Sequence, residues 1–160
     1  CLFSNATWAL HSHFTDLKVD GCSFTNNVGG LRFTSGPIEV SRSSFRGNDI
    51  GIRSYRGKAL ITRNVITGNR IGLFVREKGG GLAVTNNDLY ANSDYNIRMG
   101  DFNTEDVDAR NNWWGGKAPE AGIYDGRIES GIGRVLYEPV SDKPISPDLR
   151  AGKPDGSSFW

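Results

Sequence analysis

A unit of about 21 residues, repeated along most of a 160-residue chain, predicts an all-β fold: a right-handed parallel β-helix, that is, a single-stranded solenoid of about five coils with a C-terminal cap and tail. Three observations carry this. An apolar residue is followed three positions later by Asn at Phe24/Asn27, Phe45/Asn48, Ile66/Asn69 and Leu89/Asn92, in steps of 21, 21 and 23 residues. Alternating apolar pairs precede each of these anchors, and their period of two marks a strand with one buried face. The composition, with 21 glycines and abundant asparagine, favours strands and turns over helices.

The elements follow in order around one coil. The first strand of each unit holds the pairs Leu17/Val19, Ile38/Val40, Ala59/Ile61 and Leu82/Val84. A turn comes next, whose inward column reads Cys1, Cys22, Ser43, Asn64, Asn87 and Asn112. Polar side chains stacked in such a column can hydrogen-bond along the stack as a ladder. After the Asn-linked anchor comes a second apolar position at Leu31, Ile52, Leu73 and Ile97, preceded by Gly30, Gly51 and Gly72 in the first three. Phe3 to Ser12 fits this frame one step earlier; Val107, Ala109 and Trp114 fit it one step later, after a longer loop. A unit this short buries its apolar side only by stacking on its neighbours, about 4.8 Å away.

Residues 1–116 are therefore the coils. Residues 117–140, with Ile123-Tyr124, Ile128, Ile132 and Val135-Leu136-Tyr137, are expected to cap the last one. Residues 141–160, rich in Pro, Gly, Asp and Ser, read as an extended or disordered tail. The frame begins at residue 1 with an open strand edge, so the N-terminal coil is expected to be covered by an upstream segment or another chain. Cys1 and Cys22 occupy adjacent places in the turn column, which allows a disulfide in an oxidising compartment. Two buried thiols filling a turn, or a lipid-modified Cys1, are the other readings.

Nineteen basic and eighteen acidic side chains give a formal charge of +1, too little for a global field that would draw the chain onto nucleic acid. No run of about 18 apolar residues predicts a membrane span.

Ile61-Thr62-Arg63-Asn64-Val65-Ile66-Thr67-Gly68-Asn69 and Val84-Thr85-Asn86-Asn87-Asp88-Leu89-Tyr90-Ala91-Asn92 resemble the parallel β-helix repeats of the pectin-lyase-like superfamily. Asn111-Asn112-Trp113-Trp114-Gly115, followed by Ile123-Tyr124-Asp125-Gly126, is similar to the C-terminal end of bacterial β-helix repeat proteins of the NosD and CASH-domain groups. The resemblance spans about residues 1 to 140. It implies a fold shared by lyases, hydrolases, epimerases and adhesins, and so leaves function to the site. For lyases it implies a Ca²⁺-binding carboxylate cluster beside a base, and for hydrolases paired carboxylates. Neither is evident. Asp16 and Asp20 have no acidic partner column, and Asp101, Glu105, Asp106 and Asp108 crowd into the insertion before the last coil, where acidic residues are ordinarily solvated.

The outward positions of the strand after the Asn turn read His11 and His13, Arg32 and Thr34, Arg53 and Tyr55, Phe74 and Arg76, then Arg98 and Gly100. Arginines beside aromatics on a flat sheet can pair with carboxylate or sulfate and stack on a sugar ring, which makes Arg32, Arg53, Tyr55, Phe74, Arg76 and Arg98 the candidate ligand-binding residues. Exposed Arg on a strand also covers apolar surface with its stem and blocks edge pairing, which needs no ligand. His11 and His13 are the weak candidates for a transition metal, two donors lacking a third. One ring of the Trp113-Trp114 pair is expected to be buried at the cap.

These features predict a non-catalytic module, extracellular, at the cell surface or periplasmic, that binds a polysaccharide, possibly anionic, or a protein partner, with no cofactor. The alternatives are the C-terminal part of a polysaccharide lyase or epimerase, with Ca²⁺, and a structural subunit of a larger extracellular assembly.

Overall fold

The computed structural model describes residues 1–146 and Leu149. The chain winds into a parallel β-solenoid with three sheets, each built from one strand per coil. The first sheet stacks β1 (Leu2–Ser4), β4 (Ser23–Thr25), β7 (Ser44–Arg46), β10 (Val65–Thr67) and β13 (Asp88–Tyr90). The second stacks β2 (Trp8–His13), β5 (Gly29–Thr34), β8 (Ile50–Ser54), β11 (Ile71–Val75), β14 (Tyr95–Met99) and β16 (Ile123–Tyr124). The third stacks β3 (Leu17–Asp20), β6 (Ile38–Ser41), β9 (Ala59–Thr62), β12 (Leu82–Thr85), β15 (Val107–Asp108) and β17 (Val135–Leu136).

Pairing is parallel and in register, so residues one repeat apart lie directly above one another: Leu10, Leu31, Ile52, Leu73, Ile97 and Ile123 form one column of the core. Val19, Val40, Ile61 and Val84 form another. Aromatic rings stack in a third, with Phe3 on Phe24 at 4.9 Å between centroids and Phe24 on Phe45 at 4.5 Å. Core residues from the second coil onward are almost fully buried. Phe3, Leu10 and Leu17 of the first coil are only partly so, because β1, β2 and β3 have a neighbour on one side alone.

Two buried amide ladders fix the register at the corners. In one, the Asn27 side-chain amide donates to Asn48 Oδ1 (3.0 Å), Asn48 to Asn69 Oδ1 (2.9 Å) and Asn69 to Asn92 Oδ1 (2.9 Å). The backbone N–H groups of Asn27, Asn48 and Asn69 donate to the same oxygens of the next coil, and the Asn48 and Asn69 amides also donate to the carbonyls of Phe24 and Phe45. The other ladder is Cys22, Ser43, Asn64, Asn87 and Asn112, in which each backbone N–H from Cys22 to Asn87 donates to the next side-chain oxygen. Cys1 and Cys22 close this column with a disulfide, Cα atoms 4.6 Å apart. That settles the state of the two thiols in favour of the bridge.

The residue before every ladder position from the second coil onward has a positive φ: Asn26, Gly47, Gly68 and Ala91 ahead of one ladder, Gly21, Arg42, Arg63, Asn86 and Asn111 ahead of the other. This left-handed conformation turns the chain sharply and aims the next side chain inward. Gly51 has a different task, since a Cβ there would come within 2.7 Å of the Gly72 carbonyl.

Beyond residue 116 the chain adds β16 and β17 to the second and third sheets, so it continues the solenoid as well as closing it. Trp114 is buried and packs edge-on to Tyr137, while Trp113 is half-buried against Tyr90. Residues 141–146 then lie along the outer face of the first sheet. There the buried Asp88 carboxylate accepts the backbone N–H groups of Ile145 (2.7 Å) and Ser146 (3.0 Å). Arg46 reaches the Leu149 carbonyl, and the outward-facing Val65 is fully buried. Residues 147, 148 and 150–160 of the expected tail lie outside the described residues.

Asn48→Ala removes an interior rung of a ladder and leaves the Phe24 carbonyl and Asn27 amide without their partners. It is expected to cost about 2 to 4 kcal/mol in urea denaturation, the penalty of orphaned buried polar groups added to the lost bonds.

Candidate functional site

The three outer faces of the solenoid differ. The first sheet carries the 141–146 segment over its later strands. The third presents a mixed column of Lys18, Glu39, Leu60, Ala83, Asp108 and Leu136. Its flanking charges are paired: Arg42 with Asp20, which holds the Asp20 carboxyl below its ordinary value, and Arg110 with Asp108 at 2.8 Å. The second sheet alone concentrates one sign of charge.

On that sheet His11, Arg32, Arg53, Phe74, Arg98 and Tyr124 occupy successive rungs of one outward column. His13 and Thr34 start a parallel column two residues further along. It continues through Tyr55 and Arg76, whose backbone N–H groups donate to Phe33 and Ser54. The candidate ligand-binding residues Arg32, Arg53, Tyr55, Phe74, Arg76 and Arg98 therefore share one face. Strand pleating puts them outward, because their chain neighbours Leu31, Phe33, Ile52, Ser54, Leu73, Val75, Ile97 and Met99 point into the core.

Arg32, Arg56, Arg76 and Arg98 each sit over an aromatic ring. Arg98 sits between Phe74 (5.5 Å to the centroid) and Tyr124 (4.8 Å), and Arg32 sits over Trp8 at 5.1 Å. Tyr55 is flanked by Arg76 at 5.5 Å and Arg56 at 5.0 Å. Arg56 is neutralised by Glu77 at 2.9 Å, whereas Arg32, Arg53, Arg76 and Arg98 form no ion pair among the described residues. The guanidinium of Arg53 is pushed below its ordinary value by burial and by repulsion from Arg76 and Arg32. The Arg32 Nε is buried without a hydrogen-bond partner among the described residues. Its Nη2 lies 3.3 Å from His11 Nδ1, and burial, Arg32 and His13 together lower the His11 pKa.

His11, His13, Arg32, Thr34, Arg53 and Tyr55 line a shallow depression of about 210 Å³. Uncompensated cations beside aromatic planes in a concave surface can bind an anion and stack on a ring. No group of three His, Cys, Asp or Glu side chains suited to a metal ion occurs among the described residues, so His11 and His13 stand without a third donor there. The acidic residues of the insertion are used locally: Glu105 accepts from the Gly80 N–H (3.0 Å) and Asp106 from the Arg134 N–H (2.8 Å).

Two residues of the face escape sequence reasoning. Tyr124 is assigned to the cap when only its position after the repeat is considered, although Ile123 beside it continues the Ile97 column and places Tyr124 next to Arg98. Trp8 lies opposite Gly29, and its indole fills the space a Cβ would need there. A tryptophan stacked above a glycine was the available signal.

Residues 8–124 match the family model described as "Right handed beta helix region". The chain belongs to this right-handed β-helix family. No curated protein and no solved structure matches it. Membership accounts for the coils and their handedness, and it leaves the chemistry to the residues on the open face.

If the arginine column is uncompensated, removing a charge from it relieves the fold. Arg53→Gln is expected to leave stability unchanged or raise it by up to about 0.5 kcal/mol in urea denaturation. Arg70, which bridges Asp49 (2.6 Å) and Asp94 (2.9 Å), provides the contrast. Arg70→Gln is expected to lower stability by up to about 1 kcal/mol.

Proposed function

We propose that this chain is a non-catalytic binding module of an extracellular or cell-surface β-helix protein, and that it holds an anionic polysaccharide along the face formed by β2, β5, β8, β11, β14 and β16. The observation that carries this reading is the set of four arginines, Arg32, Arg53, Arg76 and Arg98, without carboxylate partners among the described residues on a face where aromatic rings flank them. Like charges held a rung apart, about 4.8 Å, repel one another, and a polymer carrying negative groups removes that repulsion. The aromatic planes of Trp8, Tyr55, Phe74 and Tyr124 offer stacking surfaces for sugar rings, which favours a saccharide over a simple salt. The Cys1–Cys22 bridge supports an oxidising compartment.

The purified chain is expected to retain acidic polysaccharides such as polygalacturonate in affinity electrophoresis, and neutral dextran much more weakly. The triple variant Arg32→Ala, Arg53→Ala, Arg98→Ala is expected to lose at least about tenfold in affinity while keeping its circular dichroism spectrum. Salt should weaken the wild-type interaction by screening. Ultraviolet absorbance from unsaturated products, with or without Ca²⁺, would overturn the non-catalytic reading, and unchanged binding by the triple variant would overturn the location.

A further inference from the structure

Within the open face, one corner has more donors than a carboxylate can use. His11 and His13 lie on the first rung, Arg32 and Thr34 on the second, Arg53 and Tyr55 on the third, around a single depression. Rungs are about 4.8 Å apart and alternate residues of a strand about 6.6 Å apart, so these groups approach the middle of the depression from several sides. A planar carboxylate is satisfied by the fork of one guanidinium. A sulfate or phosphate ester presents three terminal oxygens in a tripod, matching donors that converge from separate rungs.

We propose that the corner formed by His11, His13, Arg32 and Arg53 is a subsite for a tetrahedral oxyanion ester, sulfate or phosphate, carried on the bound polymer, and that it tightens as the His11 imidazole takes up a proton. The inference rests on the proposed polysaccharide-binding role of this face and specifies which charged group it prefers. Three features of the corner support it. The Arg32 Nε is buried with no hydrogen-bond partner among the described residues, and its Nη2 approaches His11 Nδ1 at 3.3 Å. The two imidazole rings are 5.8 Å apart, His13 is braced edge-on by Phe14 at 4.2 Å, and Arg32 is held over Trp8. No carboxylate lines the depression among the described residues; the charged groups around His11 are Arg32 on β5 and His13 on its own strand, and those around Arg53 are Arg32 and Arg76.

The sign of the pH effect follows from these neighbours. In the free chain, burial and the adjacent cations disfavour a charged His11, lowering its pKa. A bound anion reverses the electrostatic part, so the complex holds more protons than the free chain and affinity rises as pH falls through the imidazole range.

The experiment compares four polymers of one backbone: uncharged dextran against carboxymethyl dextran, dextran sulfate and dextran phosphate, all of matched length and the three derivatives of matched substitution, titrated into the full chain at about pH 7.5 and about pH 5.5. The ester forms are expected to bind about tenfold more tightly than carboxymethyl dextran at the lower pH. Dextran sulfate, whose own charge is constant over this range, is expected to gain about fivefold in affinity on acidification. The double variant His11→Gln, His13→Gln, at two exposed positions, is expected to keep its thermal melt and lose that gain. Carboxymethyl dextran binding as tightly as the sulfate, or a pH gain that survives in the double variant, would overturn the subsite. Binding to none of the charged polymers would instead overturn the polysaccharide role on which it rests. A preference between sulfate and phosphate identifies the natural ester class.

Discussion

Everything in this molecule depends on keeping successive coils in register. A parallel sheet built from two- to six-residue strands has little intrinsic resistance to slippage, and a shift by one residue would turn every core side chain outward. The two asparagine-rich ladders supply the resistance at the corners, where strand pairing is interrupted. Each interior asparagine of these columns accepts from the coil on one side and donates to the coil on the other, so a slipped coil would strand several buried polar groups at once. The disulfide replaces amide bonding at the N-terminal end of one ladder, where the column runs out of asparagine.

The same constraint makes the surface. Since identical places in successive coils are stacked, any residue type repeated at one outward position becomes a continuous column on one face. On the third sheet that position mixes charges of both signs with apolar residues, and ion pairs form around it. On the second it repeats arginine and aromatic residues, and Arg32, Arg53, Arg76 and Arg98 form no ion pair among the described residues. Burial and, after it, repulsion from Arg76 and Arg32 push the Arg53 guanidinium below its ordinary value, a consequence of stacking like charges in one column.

Much of this was legible in the chain because a solenoid converts sequence spacing into spatial adjacency. Phe24, Phe45 and Ile66 announce one core column by spacing alone, and Arg32, Arg53 and Arg98 align for the same reason. What stayed hidden lies where spacing breaks or where conformation overrides propensity. The left-handed turns fall on Arg42, Arg63 and Ala91 as well as on Gly and Asn, and nothing in an arginine or alanine advertises a positive φ. The longer loops near the end of the repeat obscured the step from Arg98 to Tyr124. The role of the buried Asp88 has no signal in the repeat, because its partners are backbone N–H groups more than fifty residues later in the chain. The binding role proposed for the arginine face has no comparable redundancy in the sequence, since one column of side chains carries it.

Native-state hydrogen exchange tests the central claim, that the ladders lock the register, most directly. The backbone amides of Asn27, Asn48, Asn69, Asn64 and Asn87 donate to side-chain oxygens one coil away, outside the regular strand pairing. They should exchange as slowly as the central strand amides of Ile52 and Leu73, through global unfolding alone. Exchange at these corners as fast as in the exposed turns would show that they open independently, and that strand pairing rather than the ladders holds the coils in place.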